Sequence, residues 1–224
     1  SKKMKFNQEK ILDEGIFKKL VITSSQLFAG RLVGLFYNQS DKIIIWTLST
    51  PSLLAVYDIA LKISCLARVC LTIINSAVIP RAASLKGRNE TQLIKIFFSF
   101  LNTSSLFVMA MICAWISINI NFLLDFWLSQ SIEQVNIISN LMLAAIFISV
   151  FSSISQTFFI GLGTIIETVK FSVYGVIVKL IISLIMFNYL SLIGLVLGTI
   201  VAECIMFTLY YLIKSTAPKE ENHA

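Results

Sequence analysis

The sequence predicts an all-α integral membrane protein whose helices cross the bilayer six times. Three observations predict it. Hydrophobic residues fill 57% of the 224 positions and charged residues only 13%, whereas a soluble domain is nearer half apolar and a quarter charged. The apolar residues come in long runs, such as Ser104–Ile118 and Phe171–Tyr189, not in the alternating segments of about ten residues that mark a barrel. Lys and Arg gather in alternate gaps between those runs. Lipid offers backbone N–H and C=O groups no partner, so a chain of this composition must satisfy them within helices.

A helix needs about 20 apolar residues to cross the hydrocarbon core. Residues 1–19 are polar and form a cytoplasmic or interfacial segment, whose stretch 9–20 is amphipathic and expected to rest on the membrane surface. The first span, 20–49, is interrupted by polar residues near its far end. The second, 52–79, is closed by Pro80. The third, 96–120, carries serines only toward its ends and is expected to face lipid. The fourth, 135–161, ends at Gly161-Leu162-Gly163, which reads as a tight turn or hinge. The fifth, 168–190, and the sixth, 192–213, complete one bundle, and 214–224 form a polar tail.

The charges between spans give an orientation. With the N-terminus inside, the inner segments hold Lys2, Lys3, Lys5, Lys10, Lys18 and Lys19, then Arg81, Lys86, Arg88 and Lys95, then Lys170, Lys214 and Lys219. The outer segments hold no Lys or Arg, but carry Asp125 and Glu133. Basic residues mark the cytoplasmic side, so both termini are expected in the cytoplasm. Phe122, Phe126 and Trp127 in the outer segment 121–136 suit an interfacial aromatic belt.

Five basic residues remain within the spans, Arg31, Lys42, Lys62, Arg68 and Lys179, together with the acids Asp41, Asp58 and Glu203. Each costs about 2.5–3.5 kcal/mol at the bilayer centre on insertion scales, and so marks a protein, water or substrate contact. Ser24, Arg31, Asn38 and Lys42 share one helical stripe; Asp58, Lys62, Cys65, Thr72 and Ser76 share another. Ser172, Gly175, Lys179 and Ser183 form a third, and Thr199, Glu203 and Tyr210 a fourth. Asp58 and Lys62, four apart, can neutralise one another along the helix, and Lys42 can snorkel. Arg31, Arg68 and Lys179 have no local acid at helical spacing. Five bases against three acids predict a cationic cavity that attracts an anionic solute, with Ser, Asn and Tyr groups beside it to bind hydroxyls. The candidate cavity residues are Arg31, Asn38, Asp41, Lys42, Asp58, Lys62, Arg68, Lys179 and Glu203.

Several functions find no support in the sequence. The net charge of +6 belongs to topology, and no nucleic-acid motif accompanies it. Cys65, Cys70, Cys113 and Cys204 lie in apolar runs and read as packing residues, and the one histidine, His223, lies in the tail. No metal site or cofactor is expected. No Walker A, GxGxxG, HExxH or GxSxG pattern is present, so the chain is not expected to be an enzyme.

Several segments carry a family resemblance. Asn38–Ile45 (NQSDKIII) resembles the Asp-Arg-apolar signature of polysaccharide flippases, with Lys42 where Arg is usual. Val56–Ile63 (VYDIALKI) is similar to the family's Tyr-x-x-Ala-x-Lys run, without the usual preceding Gly. Ile79–Ser84 (IPRAAS) resembles its Pro-containing cytoplasmic exit, and Phe126-Trp127-Leu128 its outer Trp-Leu turn. Gln156–Gly163 (QTFFIGLG) is similar to its Gln…Gly-x-Gly helix end, and Leu192–Thr199 (LIGLVLGT) to the Gly-rich start of its last helix. The order and spacing agree from about Phe17 to Lys214. The family is the O-antigen and polysaccharide flippases of the multidrug/oligosaccharidyl-lipid/polysaccharide exporter (MOP) superfamily. The resemblance implies one six-helix lobe, the C-terminal one, of a two-lobe, MATE-like exporter fold. It implies a role in moving undecaprenyl-pyrophosphate-linked glycan across the bacterial inner membrane by alternating access. The implied partners are the lipid-linked oligosaccharide, membrane lipids, an N-terminal lobe and the polysaccharide polymerase and chain-length machinery. The start at Ser1 suits a piece of a longer protein, and a six-helix segment in the upstream coding sequence is the expected companion.

Two other readings compete. A drug or ion antiporter of the same superfamily would use Asp41, Asp58 or Glu203 to exchange protons or Na⁺. A non-transporting membrane scaffold would have its intramembrane charges fully paired.

Overall fold

The computed structural model describes residues 14–88, 90–128 and 132–216. These fold into five long apolar helices: α1 (Glu14–Leu48), α2 (Pro51–Gly87), α3 (Thr91–Leu128), α4 (Glu133–Gly161) and α5 (Ile165–Thr216). All five are long and apolar enough to cross a membrane. Neighbours in sequence run antiparallel, so the α1–α2 and α3–α4 turns lie at one end, the upper, and the α2–α3 and α4–α5 turns at the other, the lower.

Local chemistry sets the turns. Extended Thr50 precedes Pro51 at the first position of α2, where a missing N–H costs no hydrogen bond. At the lower end α4 closes with a Schellman pattern, in which Gly163 N–H donates to the Ile160 carbonyl at 2.9 Å and Thr164 N–H to that of Phe159 at 3.1 Å. Gly163 takes φ +85° there, a conformation that favours glycine.

The fifth and sixth spans expected from the sequence follow one another with no loop between them. Residues 168–190 and 192–213 are two arms of the 52-residue α5, which breaks at Ser191, φ 51° and ψ −132°. The arms fold back antiparallel on one another. A Cβ on Gly194 would overlap the Met186 carbonyl, and one on Gly198 would sit 2.6 Å from Ser183 Oγ. The two glycines, four apart on one face, let the backbones meet as small residues do between membrane helices.

Two interruptions expected from sequence are mostly helical. Pro80 does not close α2, which continues through it to Gly87. Proline removes a hydrogen bond and crowds the preceding turn, at about 3 kcal/mol in a helix interior. The segment below Pro80 is held by other means: Val78, Ala82, Phe98 and Phe158 pack together, and Lys86 Nζ donates to the Leu162 carbonyl at 2.7 Å. The outer segment 121–136 is likewise taken up by the ends of α3 and α4. Of the amphipathic stretch 9–20, residues 14–20 are the first turns of α1; residues 9–13, and residues 217–224 of the tail, lie outside the described residues.

The core lies between α2, α3, α4 and the second arm of α5. It includes Ala60, Ala67, Met109, Ile120, Leu124, Val150, Ile154 and Leu195, each at most 1% exposed. α3 buries one face and turns Phe107, Met111, Trp115, Ile118 and Phe122 outward. None of residues 20–39 of α1 is buried; that helix is sealed into the bundle only at Ser40, Asp41, Ile44 and Ile45.

Candidate functional site

A cavity of about 410 Å³ opens between α1, α2, α4 and both arms of α5, and no residue of α3 lines it. Because the helices alternate in direction, its lining sorts into three tiers from the upper end to the lower.

The upper tier is an ion pair. Lys179 Nζ lies 2.9 Å from Asp41 Oδ2, both side chains at most 6% exposed. Tyr57 donates its hydroxyl to the same oxygen at 2.7 Å. Lys179 also donates to the Tyr37 carbonyl at 2.7 Å and sits 4.3 Å from the centre of the Tyr37 ring. Burying two charges is costly unless they are paired and further hydrogen-bonded, and all of Lys179's described contacts serve that end. Asp41 Oδ1 is buried with no described partner.

The middle tier holds a cation and an anion in no ion pair among the described residues. Arg68 donates to the Asn38 side-chain oxygen. Glu203 accepts from the Tyr37 hydroxyl at 2.8 Å and from the Ser152 hydroxyl. The lower tier is uncharged. Asn75 donates to Ser153 at 2.6 Å, and Gln156 donates to Ser172 at 2.8 Å. The Asn75 side-chain oxygen is buried and has no described partner.

Five of the nine candidates from sequence thus line this cavity: Asn38, Asp41, Arg68, Lys179 and Glu203. The other four do not. Arg31 is exposed on α1, away from the lining. Lys42 pairs with Asp58 at 2.5 Å, both about a third exposed, in a shallow recess beside Gln39 and Trp46. Asp58 therefore takes its partner from α1, not from Lys62 one turn along its own helix. Lys62 instead stands 5.4 Å from the Trp127 ring centre, so the residue read as part of an outer aromatic belt receives a cation. The charged lining is Asp41 and Glu203 against Arg68 and Lys179. The two signs balance, and the cavity is not cationic as expected.

Sequence reading missed Tyr37, Asn75, Ser152 and Ser153, and read Tyr57 only as part of the Tyr-x-x-Ala-x-Lys run. None is charged, so none stands out in an apolar span. A signal existed for Tyr37, which precedes Asp41 by four residues and so shares its helix face.

Residues 4–119, just over half of the chain, match the family described as polysaccharide biosynthesis protein. No sequence relative was found among curated proteins. Among solved structures, the chain is similar to a MOP superfamily transporter from Pyrococcus furiosus, with a TM-score of 0.70 and 19% identity over 85% of this chain and 43% of that one. It is similar also to a MATE in the straight conformation, TM-score 0.69 and 14% identity over 88% and 45%. A third is an outward-facing multidrug resistance MATE family transporter of the MOP superfamily, TM-score 0.64 and 19% identity over 85% and 43%. The chain spans less than half the length of each of these. It belongs to the polysaccharide biosynthesis protein family, and its helices take the fold of one half of a MOP or MATE protein.

Proposed function

We propose that this chain is the C-terminal lobe of a flippase that carries a lipid-linked oligosaccharide, an undecaprenyl-pyrophosphate-linked O-antigen repeat, across the bacterial inner membrane by alternating access. The observation that carries the reading is a polar cavity inside a bundle whose outer faces are apolar. Its lower tier offers Asn, Gln and Ser groups, the donors and acceptors that sugar hydroxyls need. Its middle tier offers Arg68, whose planar fork suits a phosphate. In this reading the arms of α5 cross the membrane separately, giving six crossings with both termini cytoplasmic. The basic residues Arg81, Lys86, Arg88, Lys95 and Lys170 would ring the inner face. The N-terminal lobe of the same protein would close the open side of the cavity, and the polymerase and chain-length machinery would receive the cargo.

The test is transfer of a fluorescent undecaprenyl-pyrophosphate-linked oligosaccharide across vesicles holding the complete gene product. Arg68→Gln is expected to slow transfer at least about tenfold, the loss of one charge-assisted contact. Unchanged transfer would remove Arg68 from the path. Arg31→Gln, away from the lining, is expected to transfer at the rate of the unmodified protein.

A cation-coupled antiporter is the second reading, because Glu203 meets no basic side chain among the described residues and Asp41 keeps one oxygen without a described partner. Accelerated transport under an imposed Na⁺ or proton gradient, with no transfer of lipid-linked sugar, would favour it.

A further inference from the structure

The charge balance of the cavity carries a statement about cargo that rests on the glycan reading and sharpens it. The upper pair, Asp41 and Lys179, consumes its own charges. What remains facing the cavity is one guanidinium, held by a neutral amide, and one carboxylate, held by two hydroxyls. Neither has an oppositely charged partner among the described residues. A carboxylate has about four lone-pair sites, and the Tyr37 and Ser152 hydroxyls occupy two of those on Glu203. Its charge is thus oriented but not neutralised. In a poorly hydrated space a purely anionic solute attracted to Arg68 would also meet Glu203, and like-charge proximity costs more as the dielectric falls. A solute bearing a protonated amine as well as an anion would satisfy both groups.

We propose that the glycan carried through this cavity is doubly charged: an anionic group is recognised by Arg68, and a free amine on a sugar is recognised by Glu203. Glu203 is then a specificity-determining residue that selects amino sugars over their N-acetylated counterparts. The Tyr37 and Ser152 hydroxyls aim its carboxylate, and Tyr37 ties that aim to the backbone that Lys179 grips. Selection works in both directions, because an uncompensated Glu203 disfavours cargo with negative charge alone.

Four soluble probes test this on the purified full-length protein in lipid nanodiscs, by calorimetric titration in potassium buffer at fixed ionic strength. They are glucosamine-6-phosphate, N-acetylglucosamine-6-phosphate, glucosamine and glucose. The doubly charged sugar is expected to bind about tenfold tighter than its N-acetylated form, as one added charge-assisted hydrogen bond would give. Glu203→Gln, which keeps an acceptor for Tyr37, should erase that ratio and strengthen binding of the N-acetylated phosphate, because the like-charge repulsion is gone. Arg68→Gln should erase the advantage of phosphate and keep that of the amine. Equal binding of the two phosphates by the unmodified protein overturns the proposal without any variant, and so does an equal loss of both in Glu203→Gln. If exchanging potassium for sodium strengthens binding through Glu203 while the amine brings no preference, the carboxylate serves a metal cation and the proposal fails. Absence of binding by all four sugars overturns the proposal and the glycan reading together, whereas equal binding overturns the proposal alone.

Discussion

Helices α1 and α4 are both long apolar segments, yet they join the bundle by opposite means. α4 runs through the centre, buries Val135, Ile138, Leu143, Ile146, Val150 and Ile154, and touches α2, α3 and α5. α1 leaves Phe17, Phe28, Leu35 and Phe36 exposed. Its bonds to the other helices are largely polar: Asp41 with Lys179 and Tyr57, Tyr37 with Glu203, Asn38 with Arg68, and Lys42 with Asp58. Lipid is as apolar as a leucine side chain, so apolar contacts between membrane helices gain only packing. The comparison teaches that α4 is held by shape and α1 by charge and hydrogen bonds. A polar substitution should therefore uncouple α1 and leave the rest standing, whereas trimming a side chain of α4 should loosen the whole bundle.

Breaking the upper pair is the strongest test. Lys179→Met leaves Asp41 buried without its cation, and removing one partner of a buried pair costs about 3–5 kcal/mol. The double substitution Asp41→Asn with Lys179→Met should recover much of that loss. Thermal unfolding in detergent across the four proteins of this cycle checks it; a double variant less stable than both singles would remove the pair as the anchor of α1. Next comes Ile154→Ala in α4, expected to cost about 2 kcal/mol, the lower end for a large-to-small core change because lipid already solvates apolar groups. Its signature is a loss felt at every helix, read as faster hydrogen exchange throughout, where Lys179→Met exposes α1 and the first arm of α5. A smaller effect of opposite sign is expected of Ser191→Gly. The left-handed φ at that turn is cheap for glycine, and relief of about 1 kcal/mol should raise the unfolding temperature. The least is expected of Lys42→Ala. That pair is about a third exposed, and such pairs contribute at most about 1 kcal/mol; a loss as large as that of Lys179→Met would erase the distinction between the two pairs.

How much of this was legible in the sequence follows from what kind of signal each feature leaves. Apolar runs are a property of the chain alone, so the membrane-helical class and the stretches that form helices could be read directly. Pro80 misled because a proline stops a helix only when nothing else holds its next turns, and the packing of Val78 and Ala82 on Phe158 is a tertiary fact. The break between the fifth and sixth spans was read at the residue where α5 turns, because apolar stretches on both sides exceed what one crossing needs. The site was legible as a set of costly charges but not as a set of pairs. Asp58 has an equally spaced lysine on its own helix and takes Lys42 from another. Arg31 lies on the same stripe as Asn38, yet sits two turns lower, where Gly30 faces Val169 and the cavity and Arg31 itself is exposed. The expected cationic character failed for the same reason: a tally over spans counts Arg31, Lys42 and Lys62, which the fold places outside the cavity.

The single-residue reversal at Ser191 has a consequence for how the chain is made. In the six-crossing reading the two arms of α5 share no loop that could wait in water while one arm settles. Lys179 and Glu203, one on each arm, would each cost about 2.5–3.5 kcal/mol at the centre of a bare bilayer. Entering as a closed pair, with Gly194 and Gly198 already against the first arm, the arms shield one another from lipid. In that reading the last two crossings would enter the membrane as one hairpin, with neither charged side chain facing lipid alone.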